Sequence, residues 1–378
     1  MKMKLSAIFC TLLIIISCTK NSSEHPDVDV IYLNISKTTE TDYKKVFSLI
    51  EIIPLETTDS SLIDKVNAKE TLYVPNKYFI VIDKQRILSV FDSTGKFISN
   101  SSSCIGEGPQ QYYIFQDFTY NDQKQSIDIL DVYGNIISYD INFNFLSKTK
   151  IGIKPEDRFR RIHYIGENLY ALIDDHEYST VYFYDCNTDK ILKKTQYYGT
   201  LALQSASIHP FKQIGESIYF IPPTVNDNIF LFNKESHVLH NILNIDSGDE
   251  ALKCSDLKDL DITTRETTDY ILNSSKYFCI DRYFNEKHIT SIYLKQQKRY
   301  INFFNINSGE NFTFSIKIDD QIKIPVTELF SMDESSLYAI IYPFEIDKYV
   351  DINLLSNKEI INNIDDDNNQ VIIKYYLK

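Results

Sequence analysis

Phe91-Asp92-Ser93-Thr94-Gly95, followed at once by Lys96-Phe97-Ile98, contains the pattern from which the architecture can be inferred. An aromatic residue and an aspartate end an apolar run, and a polar turn then leads into a second apolar run. Asp, Asn and Gly tolerate the left-handed backbone conformation of tight hairpins. The stretch therefore predicts two antiparallel strands joined by a short turn.

An aromatic residue followed by Asp or Asn occurs at the end of an apolar run in four further places. Their spacing is nearly regular, because the successive intervals from Phe91 onward are 48, 45, 48 and 72 residues. A repeat of about 40–50 residues is the length of a four-stranded propeller blade. The four further pairs are Tyr139-Asp140, Tyr184-Asp185, Phe232-Asn233 and Phe304-Asn305.

Six apolar runs have the character of strands that are packed between neighbouring sheets. We therefore predict an all-β fold, a six-bladed β-propeller built from four-stranded antiparallel blades. An open array of β-sandwiches is the competing interpretation, and it explains the repeat less well. The six runs are Tyr78–Asp83, Ile127–Asp131, Asn168–Ile173, Ser217–Ile221, Tyr277–Asp281 and Leu337–Tyr342.

Ring closure requires strands from both ends of the chain, because an open ring would expose sheet edges. The early runs Val30–Leu33 and Ile50–Leu55 and the late run Val371–Leu377 can pair in one composite blade. The long fourth interval indicates an insertion on one rim, at about residues 247–275. Within it, Asp249–Leu260 is predicted to form a short amphipathic helix.

The N-terminal residues have the organisation of a bacterial export signal. Lys2 and Lys4 precede the apolar stretch Leu5–Ile16, which is too short for a permanent membrane span. Ile15-Ile16-Ser17-Cys18 resembles the bacterial lipobox, and this resemblance implies cleavage before Cys18 and diacylation of its sulfur.

These features predict three segments: a lipoprotein signal peptide at 1–17, a lipidated cysteine and flexible tether at 18–27, and a single propeller domain at 28–378. No acidic run follows Cys18. By resemblance to known sorting rules, the protein is expected at the outer membrane, facing the periplasm, with surface exposure left open.

The composition limits the partners. A formal net charge of -13 makes nucleic acid an unfavourable ligand. The expected partners are the membrane, through the lipid anchor, and a glycan, a peptide or an envelope protein. No cofactor is expected, although a divalent cation (Ca²⁺ or Zn²⁺) is possible.

Four cysteines follow the lipidation site, without CxxC or Cys/His metal spacing. In an oxidising compartment they allow three complete pairings. We interpret them as buried small apolar side chains, with one disulfide possible and not required. They are Cys104, Cys186, Cys254 and Cys279.

Three stretches together resemble landmarks of the six-bladed β-propeller lipoprotein family of Gram-negative bacteria, which is related in fold to NHL-repeat propellers. They are Ile53-Pro54-Leu55-Glu56-Thr57-Thr58-Asp59, Ile105-Gly106-Glu107-Gly108-Pro109-Gln110-Gln111-Tyr112 and the closing strand at Asn369–Lys378. The resemblance covers the whole mature chain and implies the propeller fold. The sequence departs from it at Gln110 and Gln111, where the family's loop usually has glycine and glutamate.

The glycine-rich stretch has two interpretations. It superficially resembles a phosphate-binding loop but lacks the GxxxxGK[ST] pattern. We favour a structural role, in which Gly106, Gly108 and Pro109 fix a turn between two blades and Tyr112 packs between them.

The densest basic patch of this acidic chain is the second candidate site. Strand alternation places Arg158 and Arg160 on one face and Arg161 and His163 on the other. The patch could bind an anionic ligand near the propeller axis. Alternatively, its arginines pair with carboxylates of neighbouring blades.

Asp174, Asp175 and His176 form a third candidate, because they follow a predicted strand at a rim. They could ligate a divalent cation if other blades supplied further ligands. The alternative is an exposed polar turn.

The sequence contains no Gly-x-Ser-x-Gly elbow and no HExxH helix, so no catalytic residue is assigned. We therefore favour a lipid-anchored, non-enzymatic propeller that binds a ligand or a protein. One alternative is a metal-dependent, lactonase-like hydrolase or a carbohydrate-active lyase with an axial site. The other is an accessory subunit of an outer-membrane assembly, which would bind through an exposed aromatic patch.

Overall fold

The computed structural model of the 378-residue chain describes residues 28–38, 43–152, 159–174, 180–196, 209–222, 227–257, 265–316 and 323–378. Cys18, Arg158, Asp175 and His176 lie outside these residues. The described strands form six sheets.

After two initial strands, the strands follow one another along the chain in five groups of four and a last group of three, and each group lies in one sheet. Two strands precede the first group: β1 (Asp29–Tyr32) and β2 (Phe47–Pro54). Blade 1 contains β3 (Leu72–Val74), β4 (Tyr78–Ile82), β5 (Leu88–Asp92) and β6 (Phe97–Asn100). Blade 2 contains β7 (Phe115–Asn121), β8 (Ser126–Asp131), β9 (Asn135–Asp140) and β10 (Phe145–Lys150). Blade 3 contains β11 (Phe159–Gly166), β12 (Leu169–Asp174), β13 (Thr180–Asp185) and β14 (Lys190–Gln196).

The second half of the ring repeats this arrangement. Blade 4 contains β15 (Phe211–Ile214), β16 (Ser217–Phe220), β17 (Asn228–Asn233) and β18 (Val238–Asp246). Blade 5 contains β19 (Phe278–Phe284), β20 (His288–Lys295), β21 (Lys298–Asn305) and β22 (Asn311–Ile316). Blade 6 contains β23 (Leu329–Met332), β24 (Ser336–Ile341) and β25 (Val371–Leu377), and β2 is its fourth strand.

The predicted six-bladed β-propeller of four-stranded antiparallel blades is confirmed. Buried apolar side chains form six clusters, one for each pair of neighbouring blades. Each blade therefore buries both faces, which is why its middle strands appear as nearly continuous apolar runs in the sequence.

The aromatic-Asx pairs lie at the end of the third strand in blades 1 to 5. In blade 1, Phe91 is fully buried, and Asp92 Oδ1 accepts hydrogen bonds from the backbone N–H groups of Thr94 at 2.8 Å and Lys96 at 3.0 Å. The aromatic ring fills the space between blades, and the carboxylate holds the hairpin that leads to the fourth strand. Blade 6 lacks the pair, since its fourth strand comes from the beginning of the chain and no hairpin is needed.

Five of the six apolar runs are the second strands of their blades, whereas Tyr277–Asp281 overlaps β19, the first strand of blade 5. The second strand of blade 5 is β20, and seven of its eight residues are buried. Both β19 and β20 are strongly buried, so their apolar character does not distinguish the first strand from the second.

Strand β2 closes the ring, as the sequence predicted. It runs antiparallel to β25, with Ile52 opposite Ile373. Asn369, which is 2% exposed, fixes this junction, because its side-chain amide donates to the backbone oxygens of Glu56 and Ser61 at 2.8 Å each. Two of the family landmarks noted in the sequence therefore contact each other at the closure.

Strand β1 does not take part in closure. It pairs in parallel with β18 and adds a fifth strand to the outer edge of blade 4. Beyond it, the backbone oxygen of Asn34 accepts hydrogen bonds from Asn311 Nδ2 at 3.2 Å and Thr313 Oγ1 at 3.1 Å, both on the outer strand of blade 5. The segment thus reaches blade 6 along the outside of blade 5.

The helix of the insertion lies downstream of the predicted range. Helix α1 spans Arg265–Asn273, whereas the predicted Asp249–Leu260 range contains a 3-10 turn at Cys254–Leu257. Ala251 instead forms a bridge with Tyr277, and the residues just before it form a turn, in which the Ala251 N–H donates to the Gly248 oxygen at 3.2 Å. The other helical segments are α2 (Ile346–Tyr349) and 3-10 turns at Tyr43–Lys45, Ala68–Glu70, Ser102–Cys104, Val326–Glu328, Pro343–Glu345 and Lys358–Asn363.

Candidate functional site

The innermost strand of each blade pairs on one side only, so its other edge borders the propeller axis. Backbone groups on such an edge need other partners. Two side chains of blade 2 supply them to blade 3. Asp117 Oδ2 accepts from the backbone N–H of Ile162 at 2.9 Å, and Thr119 Oγ1 accepts from that of Tyr164 at 3.1 Å.

The pairing of four innermost strands with their second strands is interrupted at corresponding places. The register shifts directly before Asp117 in blade 2, Arg161 in blade 3, Asp281 in blade 5 and Ser331 in blade 6. A β-bulge redirects the side chain that follows it, and bulges are common next to binding sites.

Asp117 is 4% exposed, and burial raises the pKa of its carboxyl to about 7. The positive charge of Arg161 and the N–H of Ile162 oppose this rise, while the negative charge of Glu70 adds to it. The carboxyl is therefore close to half-protonated at neutral pH, in the position where it holds the edge of blade 3.

A buried ion pair connects blade 1 with blade 5. Lys69 Nζ pairs with Asp281 and donates to the hydroxyl of Tyr283 at 3.0 Å. Glu70, the next residue along the chain, is paired with Arg86 at 2.7 Å. These carboxylates are thus already neutralised by their own cations.

A cavity of about 390 Å³ extends along the axis, which is within the size range of small-molecule sites. Residues of blades 1, 2, 3, 4 and 6 line it. Its mouth lies where the innermost strands end and includes Asp122, Asp333 and Glu334. Polar and apolar side chains share its walls, and the apolar ones include Leu72, Val74, Phe211, Ile214, Phe330 and Met332.

Three nitrogen-bearing side chains line the inner part of this cavity: His163, His209 and Lys212. The imidazole of His163 stacks on Phe211, with ring centroids 5.3 Å apart. His209 is 4% exposed, and its Nε2 has no hydrogen-bond partner in the described part of the chain.

The protonation of these groups follows from burial. Burial and the charge of Lys212 lower the pKa of His163 to about 3, and they lower that of His209 well below its usual value. Burial lowers the pKa of Lys212 itself to about 8, against the opposing attraction of Asp281. At neutral pH both imidazoles are therefore neutral, and Lys212 is the charged member of these three side chains.

The structure separates the residues of the predicted basic patch. Arg160 is exposed, Arg161 is partly buried beside Asp117, and only His163 borders the cavity. Arg158 lies outside the described residues.

The predicted metal site is represented by Asp174 alone. Its Oδ1 accepts from the backbone N–H of Thr180 at 2.8 Å, and its Oδ2 accepts from the hydroxyl of Tyr182 at 2.9 Å. Both bonds hold β12 to β13 within blade 3. Among the described residues, no group of three or more His, Cys, Asp or Glu side chains could hold a metal ion.

The glycine-rich stretch lies between β6 and β7, away from the lining of the axial cavity. Gln111 fills the loop, because its Oε1 accepts from the backbone N–H of Gly108 at 3.1 Å, and a methyl group on Gly106 would lie 2.2 Å from the same oxygen. Pro109 is exposed, whereas Tyr112 is 1% exposed with its hydroxyl 2.6 Å from Ser101 Oγ. The contacts fit an inter-blade turn.

Three cysteines of the described part are free thiols: Cys104, Cys186 and Cys279. Burial raises the pKa of Cys279 to about 11, so this thiol stays protonated and unreactive. The side chain of Cys254 is outside the described part.

A family model described as a domain of unknown function, DUF4934, matches residues 26–376. The chain belongs to the DUF4934 family. None of the curated proteins matches its sequence.

Similarity to the first of three solved structures supports the fold of this DUF4934 member. A Bacteroides fragilis protein whose name assigns it to export aligns over 92% of this chain and 99% of its own, with 15% identity and a TM-score of 0.71. The WD40 domain of Toxoplasma gondii coronin covers 78% of this chain and 70% of its own, at 9% identity and a TM-score of 0.41. The Neurospora crassa Pan2 WD40 domain covers 82% and 74%, at 10% identity and a TM-score of 0.37.

Most of the polar residues at the axis of this DUF4934 member were not predicted from its sequence: Lys69, Asp117, His209, Lys212 and Asp281. One signal was present, since Asp117 and Asp281 each interrupt an apolar innermost strand shortly after its start. Alignment of the blades on their aromatic-Asx pairs would have placed both near the axis. No helix of the described part is long and apolar enough to cross a membrane.

Proposed function

We propose that this protein is a lipid-anchored binding protein of the cell envelope, and that its propeller holds a small ligand in the axial cavity without chemical conversion. The observation that carries the proposal is the cavity itself. It combines apolar side chains on its walls with a buried imidazole nitrogen that lacks a partner in the described part of the chain, at the axis where five blades meet. Sites of this kind bind small molecules through apolar contact and a few well-placed polar groups.

Support for the location comes from the beginning of the sequence. The basic start, the short apolar stretch and the lipobox-like Ile15-Ile16-Ser17-Cys18 agree with export and lipidation. The Bacteroides fragilis protein with the same fold carries a name that assigns it to export. The resemblance to propeller lipoproteins points in the same direction.

Cys18→Ser is expected to move the protein from the membrane fraction to the soluble fraction, because a serine cannot carry the thioether-linked lipid. The measurement is fractionation of cells that express the full chain, with mass spectrometry of the N-terminal peptide. Cys10→Ser, within the predicted signal peptide, is the matched control and should leave membrane association unchanged. An N-terminal peptide of the native protein that lacks the mass of the lipid on Cys18 would contradict the lipid anchor.

Val74→Trp tests the binding function, because an indole at this half-buried wall position would fill much of the cavity. We expect the native protein, isolated from the envelope and then denatured, to release a compound in near-stoichiometric amount. The variant should release at least tenfold less. The measurement is mass spectrometry of the released fraction.

The chain contains no natural tryptophan, so the fluorescence of the introduced indole would report directly whether it is buried in the cavity. Leu192→Trp, at an exposed position on the outer strand of blade 3, is the matched control. Equal release from both variants would rule out the axial cavity as the ligand site.

A second candidate function, protein binding, is favoured by one exposed apolar patch. Tyr113, Ile114, Val132 and Tyr133 are between 39% and 66% exposed. Their segments are adjacent, because the backbone N–H of Val132 donates to the backbone oxygen of Ile114 at 3.3 Å. The patch lies where the innermost strand of blade 2 begins, at the end of the propeller opposite the cavity mouth. Failure of the cavity test would make it the leading candidate.

A further inference from the structure

We propose that the ligand of the axial cavity carries an oxyanion group, a carboxylate, phosphate or sulfate, which binds to Lys212 at the inner end. This inference rests on the proposed function and specifies its ligand class. It comes from a comparison of the charged groups along the axis with the partners that each of them has.

The acidic groups along the axis are already neutralised or hydrogen-bonded. Asp281 is paired with Lys69, Glu70 is paired with Arg86, and Asp117 accepts a backbone N–H. None of these carboxylates forms an ion pair with Lys212. Within the described ranges, Lys212 has no ion pair.

The unpartnered groups at the inner end are all nitrogen atoms. Lys212 offers three N–H donors, and His209 Nε2 is buried without a partner in the described part. A neutral imidazole has a single N–H, and that of His209 is hydrogen-bonded to the backbone of Glu70, so Nε2 is left as an acceptor. A buried cation without a partner is unfavourable, and an oxyanion would supply the missing charge and acceptors.

The remainder of the cavity limits the ligand further. The apolar side chains of the walls, with Leu72, Phe211 and Phe330 among them, suit a neutral, partly apolar body. Three carboxylates at the mouth, Asp122, Asp333 and Glu334, outnumber Lys374, the other lysine of the lining, and would disfavour a second negative charge. We therefore expect a compound with one anionic group at its inner end and a neutral or cationic outer end.

The test is a thermal-unfolding titration of the mature chain at pH 7 and constant ionic strength. Sodium chloride is replaced stepwise by sodium sulfate, phosphate or acetate, so the three arms distinguish the head groups. We expect at least one oxyanion to raise the melting temperature of the native protein in a saturable manner. Lys212→Met should weaken the apparent affinity at least tenfold.

Two controls separate charge from folding. Lys212→Arg keeps the positive charge and should retain most of the effect, whereas Lys193→Met removes an exposed lysine of β14 and should leave it unchanged. The inference is overturned if no oxyanion differs from chloride, or if Lys212→Met responds as the native protein does. Release of a neutral compound in the Val74→Trp experiment would keep the binding function and reject the oxyanion.

Discussion

Ile52→Asp unfolds the propeller, with an expected loss of about 5 kcal/mol or more in the free energy of unfolding. Ile52 is 1% exposed at the centre of β2, opposite Ile373 of β25. Aspartate would remove a packed side chain and leave an unpaired carboxylate in the core between blades 5 and 6. Because β2 closes the ring, the damage would also expose the edges of β25 and of its neighbours.

The measurement is urea-induced unfolding followed by far-UV circular dichroism, since the chain has no tryptophan for fluorescence. Leu49→Asp is the matched control on the same strand, where the side chain is 38% exposed. It should cost less than about 1 kcal/mol. Similar losses for both variants would mean that β2 is not packed into blade 6 as described.

Gly95→Ala is expected to cost about 3–5 kcal/mol, which is unusual for the addition of one methyl group. Gly95 has φ +87°, and a methyl group there would lie 2.1 Å from the backbone oxygen of Pro54. The hairpin of blade 1 contacts the end of β2 at this point, where Glu56 N–H donates to the Gly95 oxygen at 2.8 Å. Alanine would therefore force the two blades apart.

Gly309→Ala separates the two causes, because Gly309 occupies the corresponding hairpin of blade 5. It also has positive φ, +71°, but no described atom lies within 4 Å of an added methyl group. This variant should lose only the conformational term, about 1 kcal/mol. Equal losses in the two variants, measured by the same urea titration, would show that the contact with Pro54 is unimportant.

The sequence predicts the ring because the aromatic-Asx pair has the same physical task in every blade that uses it. Asp92 and Asp140 each hold a hairpin through backbone N–H groups, and Phe91 and Tyr139 each fill the space between blades. A structural requirement that recurs in each blade produces a regular repeat in the sequence. The residues of the axial site produce no such repeat, because each blade contributes a different side chain to the axis.

The polar residues at the axis are brought together by contacts between distant parts of the chain, and no local sequence pattern indicates such contacts. Lys69 and Asp281 are 212 residues apart, and their pairing requires the ring to be closed. The register shifts before Asp117 and Arg161 also interrupt the simple alternation from which strand faces are predicted. The sequence therefore predicted a basic patch that included Arg158 and Arg160. It did not predict Lys212, an isolated lysine in a short strand, which lines the cavity.

The placement of β1 has a mechanical consequence under the lipid anchorage that we propose for the N-terminal side. A pull on the chain ahead of Asp29 reaches the four residues paired with β18 first, and then the contacts of Asn34 with blade 5. Only after these contacts, and those of Tyr43 and Lys44 with Asp351, have detached would the load arrive at β2, the strand that closes the ring. Under such tension, the pairing of β1 with β18 would separate before the pairing of β2 with β25, and the ring would stay closed.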